Sequence, residues 1–185
     1  MREKEEVKKS ILDAARKIAL REGWNCVTIR KIADEIEYTP PIVYEHFESK
    51  EDLIKELIYM GFRLLQKEVK KVKQSQKDPK KLLKLLSLVH WDFAFSNIEL
   101  HQLMFSLERP TPSEEMVYNF GLTKSIFLEI SQGNELLAEE LVLNWVCLIE
   151  GAISTMMQLP PPPSFKKTDT RKLYIKMIER FINSM

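Results

Sequence analysis

Thr28, Arg30 and Lys31 fall within four positions of one another in "TIRKI", at the head of a short run with helical apolar spacing. A hydroxyl, two cations and the free amides of a helix start together suit a phosphate oxygen, because the helix dipole is also positive there. A second unusual stretch, "EIEYTPPIVYEHFESKEDL" (35–53), sets two prolines, a tyrosine and a histidine between helix-forming runs. Other chemistries lack their residues. A di-metal helical-bundle oxidase needs Glu-x-x-His pairs, yet the residues three before His46, His90 and His101 are Val43, Ser87 and Ile98. No glycine-rich phosphate loop or nucleophile motif occurs, so neither a catalytic residue nor a cofactor is expected. Cys26 and Cys147 lie 121 positions apart, which fits no metal spacing. They read as two buried free thiols in a reducing compartment.

Helices must position these groups. The chain has 185 residues, 44% hydrophobic and 30% charged, which argues against disorder or membrane spanning as its main state. Glycine is scarce, at 5, and Leu, Glu, Lys and Ile dominate long stretches, all of which favour helix. The net charge of +1 gives no global field for nucleic acid. Residues 1–77 carry 17 Lys and Arg against 14 Asp and Glu, and residues 78–185 carry 11 against 13, so the slight basic excess is N-terminal. The start "MREKEEVKKS" has no apolar core and is not expected to be a signal peptide, and no run of 18 apolar residues follows. The expected location is the cytoplasm.

Val7, Ile11, Ala14, Ala15, Ile18 and Ala19 recur at helical spacing, which predicts a first helix over 4–21 ended by Gly23. Thr28 then caps a short helix with Ile32, Ala33 and Ile36 inward. Thr39 can cap the next, with Pro40 at its first position and Pro41 at its second, leaving the hydroxyl only the amide of Ile42. Ser49 opens a long helix through about Gln76, with Asp52 forming a weak capping box. Helical periodicity continues over 80–97, 98–107, 112–131 and 136–159. The stiff "PPPPSFKK" connects to a last helix at about 169–183. The expectation is an all-α fold of about nine helices.

Two short helices joined by "EYT" form a helix-turn-helix, whose second helix enters the major groove. Taken together, "ILDAARKIALREG", "TIRKIADEI" and "VYEHFESKEDL" closely resemble the DNA-binding domain of the TetR/AcrR family of transcriptional regulators, over about residues 8–60. One departure is Glu37, where the family commonly has Gly in the turn; a left-handed Glu37 would cost roughly 1–2 kcal/mol. The resemblance implies a helix-turn-helix domain over 1–50, a fourth helix from about 49 that connects onward, and an effector-binding and dimerisation domain over 51–185. It implies phosphate contacts by Tyr44, His46 and Lys50. It places Thr39, Pro40, Pro41, Ile42 and Glu45 at the DNA. The apolar ones should meet thymine methyl groups, and Glu45 can accept from a cytosine amino group. Val43 and Phe47 point inward.

"HWDFAFSNIELHQLMFSLERP" (90–110) and "LNWVCLIEGAISTMM" (143–157) resemble one branch of the family's C-terminal domains, whose eighth helix carries a Trp…His-Gly pattern. Trp145 and Gly151 match it, but Glu150 replaces the His. The resemblance implies a homodimer through about 136–159 and 169–183. It also implies an apolar effector pocket among helices five to seven. Candidate lining residues are Trp91, Phe95, Met104 and Phe105, with Phe120, Phe127 and Met156 beyond them. Glu150, in an apolar run, is expected to pair structurally or to face a ligand. The expected activity is that of a repressor released from operator DNA by a small, largely apolar ligand.

Overall fold

A computed structural model describes residues 2–106, 111–158 and 170–185. Among these the chain is all-helical, as expected, with nine α-helices and one 3-10 turn. It packs as two compact units: Met1–Arg63 with Asn97–Pro112, and Leu64–Ser96 with Ser113–Met185.

In the first unit, α1 (Arg2–Glu22) buries Ile11, Ala14, Ala15 and Ile18 along one stripe. Gly23 ends it at φ 84, a left-handed conformation that L side chains rarely adopt. A single 3-10 turn (Trp24–Cys26) then leads to Thr28, whose hydroxyl accepts from the Lys31 amide at 3.2 Å and caps α2 (Ile29–Glu35). The next helix, α3 (Pro40–Tyr44), starts directly on the prolines. Thr39 does not cap it through its side chain as expected; the Thr39 carbonyl instead accepts from the Ile42 amide at 3.0 Å. Pro40 and Pro41 remove the other amides a hydroxyl would seek, so the backbone turn closes the helix start by itself.

Helix α4 (Lys50–Ser75) opens with the Ser49 hydroxyl accepting from the Asp52 amide at 3.1 Å, while the Asp52 carboxylate accepts from the Glu48 amide at 3.3 Å. Leu53, Leu57, Ile58, Phe62 and Leu65 are buried along it, whereas Leu64 is exposed. Helix α6 (Ile98–Met104) belongs to the first unit and lies against α1. Trp24 Nε1 donates to the Glu99 carbonyl at 2.8 Å, and Arg16 Nε donates to Glu99 Oε1 at 2.7 Å.

The second unit centres on α5 (Pro79–Ser96), which packs against α7 (Glu114–Ile130), α8 (Glu135–Gln158) and α9 (Thr170–Asn183). Buried Ser87 ties three of these together. Its hydroxyl donates to the Leu83 carbonyl at 2.8 Å and accepts from Trp145 Nε1 at 2.9 Å, and its carbonyl accepts from the Tyr174 hydroxyl at 2.8 Å. Burial, reinforced by the negative charges of Glu150 and Asp92, pushes the Tyr174 phenol well above its ordinary range, so it stays a donor. Helix α7 begins two residues later than its periodicity suggests, because Ser113 accepts from the Met116 amide and becomes the cap.

The "PPPPSFKK" connector, Leu107 and Leu159 lie outside the described residues. Both cysteines are free, but they are not the buried thiols expected: Cys26 is half-buried and Cys147 exposed. Leu143 and Cys147 fall on the outward stripe of α8, opposite Trp145 and Ile149, so apolar neighbours in sequence did not mean burial. No helix among the described residues is long and apolar enough to cross a membrane.

Candidate nucleic-acid interface

The turn between α2 and α3 closes through backbone bonds, with the Tyr38 amide donating to the Ala33 carbonyl at 2.9 Å. It brings Glu37 to φ 60, the left-handed region where a residue with a Cβ is strained. Val43 and Phe47 are buried and fix the roll of α3 against the unit's core. The opposite side faces outward. Thr39, Pro41, Tyr44 and Glu45 are exposed, while Pro40, Ile42, His46 and Lys50 are half-buried; Tyr44 is 56% accessible. An aromatic side chain with that exposure contributes little to a fold and offers its hydroxyl to a partner.

Thr28, Arg30 and Lys31 are exposed on the preceding helix. Their electrostatic states differ. Arg30 and Lys50 form no ion pair among the described residues, whereas Lys31 Nζ contacts Glu22 Oε2 at 2.5 Å. Glu22 also receives Arg21 at 3.4 Å, and Arg21 reaches Glu35 at 3.0 Å. The sequence reading missed this ion-pair chain, because Gly23 breaks the helix between Glu22 and Lys31 and no periodic spacing links them. Hydroxyls, cations and apolar side chains on one outward surface can hold phosphates and touch base edges.

The expected effector residues divide between the units. Met104 and Phe105 pack in the first, where Met104 is buried and Phe105 lies 6.3 Å from Phe62 and 4.7 Å from His101 between ring centroids. In the second, Trp91 is buried and stacks on Phe95 at 4.3 Å and lies 4.7 Å from Tyr174. Phe127 is fully buried, with Trp145 at 6.3 Å. Met156 is half-buried, and Phe120 faces outward at 58% accessibility. Glu150 Oε1 lies 3.6 Å from His90 Nδ1, both only partly accessible. A residue not singled out from the sequence also stands out: both amide atoms of Asn119 on α7 are buried without a hydrogen-bond partner among the described residues. A lone asparagine carries no periodic signal, and only packing leaves it unsatisfied.

The outward-facing α3, its buried anchors and the preceding capped helix form a helix-turn-helix. Residues 11–57 match the family model of bacterial regulatory proteins, tetR family. The match covers the helix-turn-helix unit, and over those residues the chain is similar to this family. No curated protein matches it. Solved structures share its fold over nearly the whole length. A TetR/AcrR-family transcriptional regulator from Thermobifida fusca YX-ER1 has TM-score 0.69 and 16% identity, covering 96% of this chain and 97% of that one. A single-residue variant of TetR from Acinetobacter baumannii AYE, in complex with minocycline, has TM-score 0.71 and 14% identity, covering 96% and 94%. AibR in complex with isovaleryl coenzyme A and operator DNA has TM-score 0.69 and 14% identity, covering 92% and 96%.

Proposed function

We propose that the protein is a repressor that binds operator DNA as a homodimer in the cytoplasm and is released by a small, largely apolar ligand, working by binding and not by catalysis. The observation that carries the DNA reading is the split of α3 into buried Val43 and outward Tyr44, Pro41 and Glu45. Two-fold pairing is supported by the outward stripe of α8. Leu136 and Leu143 are 79% and 63% accessible there, and a Cβ added at Gly151 would meet nothing within 4 Å. A second copy would cover apolar surface that this chain leaves in water. Two reading heads then address half-sites about 34–36 Å apart or a multiple of that.

Ligand response is supported by the Asn119 amide, which has no hydrogen-bond partner among the described residues and shares α7 with buried Leu122, Thr123, Ile126 and Phe127. The minocycline and isovaleryl coenzyme A complexes of the similar structures lend it further weight. A releasing ligand must bind the DNA-incompetent state more tightly, and operator DNA must weaken its binding by the same factor. The experiment is a gel shift of labelled promoter duplex, competed by specific but not random DNA. It is followed by ligand titration with and without that duplex, and by sedimentation. Equal competition by random DNA, equal ligand affinities, or a monomer at micromolar concentration would each remove one part of the reading.

A further inference from the structure

The ion-pair chain that links the end of α1 to both ends of α2 has no role in building the core, since its members lie at or near the surface. It runs from Glu35 Oε2 to Arg21 Nη1 at 3.0 Å, from Arg21 Nη2 to Glu22 Oε1 at 3.4 Å, and from Glu22 Oε2 to Lys31 Nζ at 2.5 Å. Two cations beside the reading head are therefore already matched by carboxylates of the same chain. Arg30, between Thr28 and Lys31, has no such pair among the described residues.

We infer that Glu22 is a specificity-determining residue for DNA binding, acting as an electrostatic brake that holds Lys31 in an internal pair and off the phosphates of non-specific DNA. The inference rests on the DNA-binding reading. Non-specific affinity comes from cations that neutralise phosphates and release condensed counterions. When Lys31 turns from Glu22 to a phosphate, one ion pair replaces another and a carboxylate is left bare beside the duplex. The net charge brought to the DNA by the pair is zero, so this lysine adds little to binding that depends on charge alone. A site that aligns α3 with its bases gains contacts that do not depend on Lys31. The brake thus weakens random binding more than specific binding. The hydrogen bond from Lys31 holds the Glu22 carboxyl below its ordinary range, and the same bond holds the Lys31 ammonium above its own. Both groups stay charged across physiological pH, so the brake is set by salt and not by protons.

The test uses the full-length protein, a fluorescent random-sequence duplex, and titrations at several salt concentrations for wild type, Glu22→Gln, Lys31→Met and the double variant. Both substituted side chains are at the surface, and circular dichroism melts check that each variant folds. Glu22→Gln should bind the random duplex roughly fivefold more tightly at low salt, with a salt slope steeper by about 0.9 for each reading head engaged. Lys31→Met should cost less in the wild-type background than in Glu22→Gln, where it should return affinity to about the wild-type level. A gain that persists in the double variant means diffuse repulsion by Glu22 and overturns the pairing. Duplex binding by wild type with no gain in Glu22→Gln overturns the brake alone. No duplex binding by any of the four proteins at low salt overturns the DNA-binding reading with it.

Discussion

Arg16 on α1 and Glu99 on α6 meet as an ion pair of 2.6 Å although 83 residues separate them, and the Glu99 side chain is only 3% accessible. Arg16 also donates to Asn97 Oδ1 at 3.2 Å, and the Glu99 carbonyl accepts from Trp24. These bonds hold α6 on the helix-turn-helix unit.

The two ends of that pair should not be equivalent. Arg16→Ala leaves a buried carboxylate without its cation and is expected to cost about 3 kcal/mol. Glu99→Ala leaves a partly exposed guanidinium that can turn to Asn97 and water, and should cost less. Urea denaturation of both variants decides this, and the reverse order would reject the account.

Glu37 stands at φ 60 in the turn before α3. Replacement by glycine removes a left-handed strain of about 1–2 kcal/mol and adds back part of it as unfolded-state entropy, so Glu37→Gly should stabilise the protein by about 0.5–1 kcal/mol. A loss of stability in the same measurement would mean that the Glu37 side chain contributes more than its backbone costs.

Gly61 on α4 is covered by Met104 of α6, and an added Cβ would collide with the Met104 sulfur. Gly61→Ala gains helix propensity of about 1 kcal/mol but must displace that side chain, at about 1–3 kcal/mol. The net expectation is a mild loss that disappears when Met104→Ala supplies the background. Identical effects in both backgrounds would show that the contact is not limiting.

Tyr44→Phe and Lys50→Ala should weaken binding to operator and random duplex alike, and Lys50→Ala should lower the salt slope by about one unit. Loss of sequence preference alone, at unchanged slope, would move either residue from the phosphates to the bases.

The amide of Asn119 is buried with neither atom satisfied among the described residues. Asn119→Leu should therefore raise stability by about 1–2 kcal/mol while leaving DNA affinity unchanged. Thermal melts check the first and duplex titration the second, and a destabilised variant would place a structural role on the amide.

Local chemistry made much of this protein legible from its sequence. Apolar residues at helical spacing, Thr28 before α2 and Ser49 before α4 placed those helices, because caps and periodicity act over a few residues. The family resemblance assigned Val43 and Phe47 to the interior and Tyr44 to a phosphate, and the fold buries the first two and exposes the third. Where two local signals competed, as at Thr39 ahead of two prolines, the backbone closed the turn without the hydroxyl. Tertiary structure alone decided the rest. It put α6 beside α1 through Arg16 and Glu99, joined Trp145 and Tyr174 to Ser87 across 58 and 87 residues, turned Cys147 outward and tied Lys31 to Glu22 beyond a helix break. Those pairings depend on which helix faces pack together, and that follows from burying the whole set of apolar stripes at once, a balance that no spacing within a single segment contains.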